Sequence, residues 1–544
     1  MRRATGLLFF VSLFAVSGTT FASGVTETPD NGSEQMGRGG AWIARASDPL
    51  ATLFNPAGLA GQPSRITIQA NLLVDHTCFT RLRSASDTTA DLSLVDGTGH
   101  YPRVCNDIQA VPNPQFAITW RVTDRLGLGF AVAGPSAPAD KKFPEFITDN
   151  AGQPVAQPGR YLLLKQSGVI VFPTIGVGYE VIDNLRLGAS VAWGIAKLKL
   201  ATAVLSLNTD NSSPSTNDLR ANLQAADYFV PQFSLGGLYS ATPEIDIAGW
   251  YKWSDAIRSR GDVGTAANYF SKANAGGDDS GVRYGDTIYE DCGTGTTSKA
   301  CGAGDNATAK FVIPMEAKLG IRYHKPRGVL TGWNGEKRAH LRDPLATDVF
   351  DIEADLTWAN NSAVEAFEVR FPGDATGRGV LPVSGTGGEF PPNVDAPRAF
   401  KDTFGLRVGG DYNAIPDKLA LRAGAFIESS ALDERYQSID FAPQTRFGIA
   451  LGGTYRIRLG SDDKSSAIEI MAGYGHVFYA DQTREDPKAD GLRAIAGTSC
   501  NKSDPVSADK CADGNPRYRT KWPINLGTIT NTLNVINVGL AYRF

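Results

Sequence analysis

Large apolar residues alternate with small or polar ones up to the end of this chain. In the segment 534–544, one face would carry Ile536, Val538, Leu540, Tyr542 and Phe544, and the other Asn537, Gly539, Ala541 and Arg543. Because successive side chains of a β-strand point to opposite faces, the segment predicts a strand with one apolar face. A soluble edge strand also fits this pattern, but a strand between lipid and a lumen requires it.

The same alternation recurs along most of the chain and predicts about fourteen strands, an even number as closed bacterial barrels require. They lie near residues 65–75, 113–122, 125–133, 168–181, 184–200, 230–241, 244–254, 311–324, 348–359, 400–413, 417–428, 445–458, 464–479 and 531–544. The pattern therefore predicts an all-β fold, a transmembrane antiparallel β-barrel.

The connections between these strands are alternately short and long. Tight turns near 123–125, 182–184, 241–244 and 413–418 carry Asp, Asn or Pro, which favour chain reversal. Long polar stretches occupy 76–112, 134–167, 201–229, 255–310, 360–399, 429–444 and 480–530. Outer-membrane barrels have short periplasmic turns and long outer loops, so the alternation favours that class. The connection 325–347 is long for the periplasmic side, and the pattern does not explain it.

The N-terminus has the features of a secretory signal. Arg2 and Arg3 precede the apolar run 7–16, and small residues follow up to Ala22, so we expect residues 1–22 to be a cleaved signal peptide. The segment 23–64 does not alternate and precedes the first strand. Since a barrel of about fourteen strands is wider than its own side chains can fill, we expect 23–64 to be a hatch inside the lumen and 65–544 to form the barrel.

Composition excludes several other classes. The net charge of −4 does not favour a nucleic-acid partner. None of the five histidines has the spacing of metal ligands, and no motif of a serine hydrolase or a phosphate-binding loop is present. We therefore expect no metal, no cofactor and no enzymatic activity.

Six cysteines fall into three pairs that are close in sequence: Cys78 and Cys105, Cys292 and Cys301, and Cys500 and Cys511. In an exported protein such pairs indicate disulfides, and each pair lies within one predicted outer loop. Six cysteines allow fifteen connectivities, so pairing of nearest neighbours is only the simplest assignment. Zinc binding is the alternative, but the spacing of these cysteines does not support it.

Two motifs resemble a known family. The segment from Gly39 to Leu59, with its core Asn55-Pro56-Ala57-Gly58, resembles the N-terminal hatch of the FadL/TodX family. The segment Leu126–Pro135 resembles the region of that family's third strand, which is kinked. The terminal Tyr542 and Phe544 resemble the last-strand signal that outer-membrane assembly machinery recognises. The resemblance covers most of the chain and is weak in the long loops.

The resemblance implies a location in the outer membrane of a Gram-negative cell and passive transport of long-chain fatty acids or other hydrophobic molecules. A ligand would enter from the outer loops, the hatch would rearrange, and the ligand would leave sideways into the bilayer through a gap at Gly134 and Pro135. Such a route keeps an apolar molecule out of water, which is worth roughly 25 cal/mol per Å² of its surface. The expected partners are the ligand, the bilayer and the assembly machinery, and we expect a monomer.

Alternatives remain at each point. Gly134 and Pro135 could simply end a strand, because Pro does so routinely, and Asn55-Pro56 could be an ordinary turn. The protein could instead be a structural or adhesive barrel with long outer loops, or an outer-membrane lipid hydrolase, or, at the level of the fold, a soluble secreted β-protein.

Overall fold

Fourteen antiparallel strands form a closed barrel in the computed structural model of the chain. The structure describes residues 31–83, 92–135, 140–204, 218–266, 270, 283–284, 307–328, 341–370, 381–383, 388–390, 393–460, 466–485 and 524–544. The barrel strands are β1 Arg65–Arg81, β2 Ala110–Arg121, β3 Leu126–Ala133, β4 Lys165–Ile182, β5 Leu185–Val204, β6 Leu219–Thr242, β7 Ile245–Ser254, β8 Glu316–Pro326, β9 Asp348–Ala359, β10 Thr403–Ile415, β11 Leu419–Glu428, β12 Arg446–Arg458, β13 Ala467–Tyr479 and β14 Gly527–Arg543.

Each strand pairs with the next, and the last strand returns to the first. The β1–β14 ladder runs from Arg65 opposite Arg543 to Arg81 opposite Gly527, so the barrel is closed. This closure leaves no sheet edge along the wall, as a membrane requires, since unpaired backbone groups cannot hydrogen-bond to lipid. The predicted barrel fold is confirmed. Within the described residues, no helix is long and apolar enough to cross a bilayer.

The two faces of the wall differ as the alternation predicts. In β14 the exposed fraction is 45% for Ile536 and 54% for Leu540, whereas Asn537 between them is fully buried. In β5, Val191 is 63% exposed and Arg186 is fully buried. The apolar residues therefore point outward to the lipid, and the small and polar residues point into the lumen.

The strands extend further than the sequence indicates on the side of the long loops. Strand β6 begins at Leu219 rather than near 230, and β1 continues to Arg81. Alternation with an apolar face is needed only at membrane depth, so the outer extensions lack that signal. The predicted strand 311–324 is two elements, because Ala307–Phe311 is a separate loop strand and β8 begins at Glu316.

Short strands build part of the outer loops. They are Val104–Cys105, Lys141–Lys142, Phe146–Thr148, Pro154–Ala156, Ile257–Ala266, Arg283–Tyr284, Ala307–Phe311, Ala366–Arg370, Leu381–Val383, Gly388–Phe390, Asn393–Pro397 and Gln482–Arg484. A disulfide joins Cys78 to Cys105 and ties the first loop to β1, as predicted. Cys292, Cys301, Cys500 and Cys511 lie outside the described residues, as does the predicted signal peptide.

The segment 31–64 lies within the ring of strands. It forms helix α1 (Ser33–Gly37), helix α2 (Ala51–Phe54) and a 3-10 turn (Pro56–Leu59). Helix α1 packs on β11 to β14, whereas the 3-10 turn packs on β3 to β6. Contacts with opposite sides of the wall place this segment across the lumen, in the half nearer the short turns, and we call it the luminal segment.

The long connection between β8 and β9 also contacts the luminal segment. Its described part contains helix α3 (Pro344–Thr347). The backbone N–H of Arg342 donates to the carbonyl oxygen of Gly61 at 2.8 Å, and its guanidinium donates to that of Ala44 at 3.2 Å. Asp343 pairs with Arg456 at 2.8 Å and with Arg543, on β12 and β14. The described end of this connection therefore joins the luminal segment to β12 and β14.

Candidate functional site: an apolar cavity above the luminal segment

The outer half of the lumen contains a cavity of about 690 Å³. Its wall comes from the outer ends of β4, β5 and β6 and from loop residues, and it is mainly apolar: Leu73, Val111, Leu162, Ile170, Leu198, Leu200, Leu223, Ile257, Phe311, Phe367, Val369 and Phe441 among others. Cavities of this size and character hold small organic ligands. The size and lining of the cavity therefore suit an apolar molecule.

The cavity reaches a break in the wall between β2 and β4. Strand β3 has 8 residues, whereas β2 has 12 and β4 has 18. The β2–β3 ladder stops at Phe116 opposite Val132, so the segment 110–115 of β2 pairs only with β1. Pro112 and Pro114 lie in this segment, and a residue without an N–H is tolerated at such an edge. The wall is thus incomplete next to the cavity.

Gly134 and Pro135 lie at this break and line the cavity. Strand β3 ends at Ala133, so these two residues follow its last ladder pair, Ala133 opposite Phe172. A Cβ on Gly134 would lie 2.6 Å from the carbonyl oxygen of Ile170. This distance is too short for a side chain, so the position favours Gly. Strand β3 therefore ends just before Gly134 and Pro135, as in the interpretation that these two residues simply end a strand. The end of β3 leaves the break in the strand pairing.

Asn31, the first described residue, connects the luminal segment to this gap. Its side-chain amide donates to the carbonyl oxygen of Gly134 at 2.6 Å, and its oxygen accepts from Asn113 at 2.9 Å and from Gln115 at 3.2 Å. Asn113 also donates to the carbonyl oxygen of Pro135 at 2.8 Å. A movement of the luminal segment would therefore act on the edge of the break.

Strand β9 holds the luminal segment through three inward carboxylates. Asp355 accepts from the backbone N–H of Trp42 at 2.8 Å, and Glu353 accepts from the N–H groups of Ala44 at 2.6 Å and Arg45 at 3.1 Å. These backbone groups are buried away from water, and an N–H group without a hydrogen-bond acceptor there would cost free energy. The acidic residues at every second position of β9 meet this need.

Two buried arginines of the luminal segment complete the attachment. Arg38 pairs with Asp351 at 2.5 Å, Asp411 at 2.8 Å and Glu353 at 3.1 Å, and its side chain is fully buried. Arg45 pairs with Asp351 and with Asp411 at 3.1 Å. Breaking one partner of such a buried network costs roughly 3–5 kcal/mol, because the remaining charges lose their compensation.

The Asn55-Pro56-Ala57-Gly58 motif lies on the opposite wall. The Asn55 amide donates to the carbonyl oxygen of Ile43 at 2.8 Å and approaches that of Gly237 on β6 at 3.5 Å, and its oxygen accepts from the N–H of Ala57 at 3.2 Å. Pro56 lies against β5, where a Cβ on Gly188 would be 2.2 Å from its carbonyl carbon. The motif thus shapes a turn that fits against a glycine of the wall.

Two carboxylates inside the luminal segment have opposite electrostatic environments. Burial alone would raise the pKa of Glu34, but Arg45, Arg422 and Arg65 lower it to about 2. Burial and the nearby Glu34 raise the pKa of Asp48 to about 7. One oxygen of Asp48 accepts from the Leu50 N–H at 2.8 Å, and the other is buried and makes no hydrogen bond. Asp48 is therefore protonated in mildly acidic conditions and charged above neutrality.

The remaining predicted residues lie away from the cavity. Tyr542 and Phe544 stack at the end of β14 with centroids 5.9 Å apart and face outward. Arg160 in the second outer loop is fully buried and pairs with Asp218 at 2.7 Å.

Sequence reasoning missed the network that fixes the luminal segment. The signal was present, because Asp351, Glu353 and Asp355 share one face of a predicted transmembrane strand. An acidic face at that depth must be compensated, and Arg38 and Arg45 are cations of the segment expected inside the barrel. The acids at every second position of β9 could have suggested that they pair with the arginines of this segment. The individual ion pairs could not be predicted, because they depend on the register of β9 against β10.

Comparisons with known proteins support the fold. The chain is similar to the crystal structure of a FadL homologue of Pseudomonas aeruginosa, with a TM-score of 0.61 and 16% identity over 97% of this chain and 100% of that one. It is also similar to the Pseudomonas putida toluene transporter TodX, with a TM-score of 0.52 and 14% identity over 96% and 99%. For the monoaromatic hydrocarbon channel CymD the TM-score is 0.51 and the identity 13%, over 94% and 97%.

No family model matches the sequence, and no curated protein matches it either. The structural comparisons therefore confirm the resemblance at the level of the fold, a FadL/TodX-type barrel.

Proposed function

We propose that this protein transports hydrophobic small molecules across the outer membrane by passive diffusion. The observation that carries the proposal is the apolar cavity, which lies above the luminal segment and reaches the break at Gly134 and Pro135. An apolar molecule that moves from this cavity into lipid never has to re-enter water, and this avoids a penalty of roughly 25 cal/mol per Å². The similar structures of a toluene transporter and of a monoaromatic hydrocarbon channel support the same class.

The luminal segment acts as a hatch in this proposal. It fills the lumen on the periplasmic side and contacts the edge of the break through Asn31 and Gly134. A ligand in the cavity would favour the arrangement of the hatch in which the break is wider, because it binds that arrangement better. Exit is then sideways into the bilayer, and no energy-coupling partner is needed.

Transport can be measured with the full mature chain in vesicles, using the uptake of a radiolabelled alkane and of toluene. We expect saturable uptake that empty vesicles lack. Uptake no faster than in empty vesicles for any apolar compound would exclude the proposal. A hatch role is tested separately by deleting residues 23–62, which should preserve the barrel and raise its conductance to ions. An unchanged conductance would show that the segment is not a plug.

The lateral route is tested by a reversible cross-link at the break. In the double variant Asn113→Cys, Pro135→Cys, the two side chains flank the break, since the Asn113 amide lies 2.8 Å from the carbonyl oxygen of Pro135. Oxidation should join β2 to the end of β3 and slow uptake, and reduction should restore it. The parent protein under the same reductant is the control. Full uptake by the oxidised variant would contradict exit at this point.

A further inference from the structure

The cavity has few charged side chains, and most of them are already engaged with partners inside the protein. Six of its lining residues carry a charge: Asp75, Asp140, Lys141, Arg398, Asp440 and Arg446. Three are acidic and three are basic, so the lining itself is neutral. A ligand with a carboxylate needs a cation whose charge is not already compensated by a carboxylate of the protein, and the three basic residues therefore decide whether this site suits an anion.

Lys141 has no donor left for a ligand. Its ammonium group lies 3.3 Å from Asp75, donates to Thr77 Oγ1 at 3.0 Å and donates to the carbonyl oxygen of Ile439 at 3.4 Å. An ammonium group has three N–H donors, and these three partners account for all of them.

The two arginines are also compensated. Arg398 pairs with Asp440 and donates to the carbonyl oxygen of Pro397 at 3.0 Å. Its Nε is buried and makes no hydrogen bond, but the positive charge of the guanidinium is compensated by Asp440. Arg446 pairs with Glu428, which lies behind it and does not line the cavity. Glu428 also pairs with Arg407 at 3.0 Å, so both arginines of the lining have a carboxylate partner and the surroundings add no net charge.

One carboxylate that has no cation partner among the described residues lies where a ligand would leave. Asp140 lines the cavity beside the break and accepts from the Gly168 N–H at 3.1 Å. Among the described residues, no cation pairs with it. An anion that moved toward the break would pass this carboxylate and be repelled, since like charges at short range raise each other's free energy.

We infer that the cavity selects electrically neutral apolar molecules over fatty carboxylates of the same length. This inference rests on the proposed function and names its substrate class. The physical reason is that transfer of a carboxylate into an apolar site without a free cation costs far more than the burial of its chain returns.

The test is equilibrium binding to the purified full chain, corrected for partition into empty micelles. The ligands are dodecanoate and methyl dodecanoate at pH 8, where the carboxyl group is ionised. We expect the ester to bind at least about tenfold more tightly than the anion. Near pH 4, where about half of the acid or more is neutral, the difference should shrink to a few fold. Equal or tighter binding of dodecanoate at pH 8 would overturn the inference.

A pair of matched variants in one outer loop sharpens the test. Asp440→Asn removes the carboxylate that pairs with Arg398, so dodecanoate affinity should rise about tenfold while the affinity of the ester changes less than twofold. The control is Asp433→Asn, since Asp433 pairs with Arg435 in the same loop and does not line the cavity. An Asp440→Asn variant that leaves the preference for the ester unchanged would show that this pairing does not set the selectivity.

Failure of the inference differs from failure of the proposed function. If neither ligand binds and no apolar compound crosses the vesicle membrane, the transport proposal is wrong, and the inference falls with it. If both compounds are transported and dodecanoate is preferred, transport stands and only the neutral substrate class is wrong.

Discussion

The two halves of the lumen are enclosed by the same fourteen strands but differ in chemistry. The periplasmic half is crowded with buried ion pairs, such as those that Arg38 makes with Asp351 and Asp411. The outer half has an apolar cavity with few charges, and each of the three cations that line it pairs with a carboxylate of the protein. The difference follows from what fills each half. Backbone fills the first and needs polar partners for its N–H groups, whereas an apolar ligand in the second needs none.

The comparison suggests that charge holds the luminal segment, the proposed hatch, in place, whereas apolar surface would hold a ligand. Substitutions in the periplasmic half should then loosen the hatch without changing the ligand preference of the cavity. The predictions below test the first of these effects by hydrogen exchange, in peptides within 33–59 for the luminal segment and within 341–347 for the connection beneath it.

The largest effect is expected for Arg38→Met. It leaves Asp351, Asp411 and Glu353 with less compensation and should weaken hatch attachment by roughly 3–5 kcal/mol. Exchange in 33–59 should accelerate strongly and ion conductance should rise. The control is Arg435→Met, because Arg435 is an exposed loop residue paired with Asp433. Unchanged exchange in Arg38→Met would mean that packing rather than charge holds the hatch.

A smaller effect is expected for Gly188→Ala. The new Cβ would lie 2.2 Å from the carbonyl carbon of Pro56, so the Asn55–Gly58 turn must move away from β5, at about 1–3 kcal/mol. The matched control is Gly237→Ala on β6, where a Cβ has its nearest neighbour, Leu187, at 3.8 Å. If both variants exchange at the same rate, the close fit between the motif and the wall is unimportant.

Asp343→Asn tests the connection beneath the hatch. It removes the charge that Arg456 and Arg543 share and should weaken the attachment of residues 341–347 by about 1–3 kcal/mol. Asp124→Asn is the control, since Asp124 is exposed and pairs with Arg121 in a short turn. The prediction is contradicted if exchange in 341–347 is no faster than in the control.

The pH dependence of this contact has a definite sign. Burial alone would raise the pKa of Asp343, but Arg456 and Arg543 hold it well below the ordinary value. The contribution of Asp343 is therefore fully present above about pH 4 and is lost only under strongly acidic conditions. Between pH 5 and 8 the contact should be constant.

Asp48 should behave in the opposite way, with the smallest effect of the four. Its pKa is raised by burial and by Glu34 to about 7, so the hatch favours the protonated form. Hatch attachment should weaken as the pH rises from about 4 to about 7 and then level off. Asp48→Asn should abolish this dependence, whereas parallel pH profiles for the variant and the parent would exclude Asp48 as its source.

The sequence alone came close to the fold because alternation is required by the bilayer. Strand β9 was predicted with its observed bounds, 348–359, whereas β6 was shortened because its outer end from Leu219 does not have to face lipid. The alternation of short and long connections identified the two rims. It did not explain 325–347, since contacts such as Asp343 with Arg456 depend on strands far away in the sequence.

What the sequence determined by itself is therefore the wall, since the period-2 pattern of each strand is a local property that the surrounding lipid imposes. The contents of the lumen were decided by the tertiary structure. The acids of β9 meet Arg38 and Arg45, β3 stops short beside β4, and Lys141 reaches Asp75, Thr77 and Ile439, only because closure of the barrel brings distant segments together. Whether a charge is paired or available to a ligand depends on those neighbours, and a linear pattern cannot specify them.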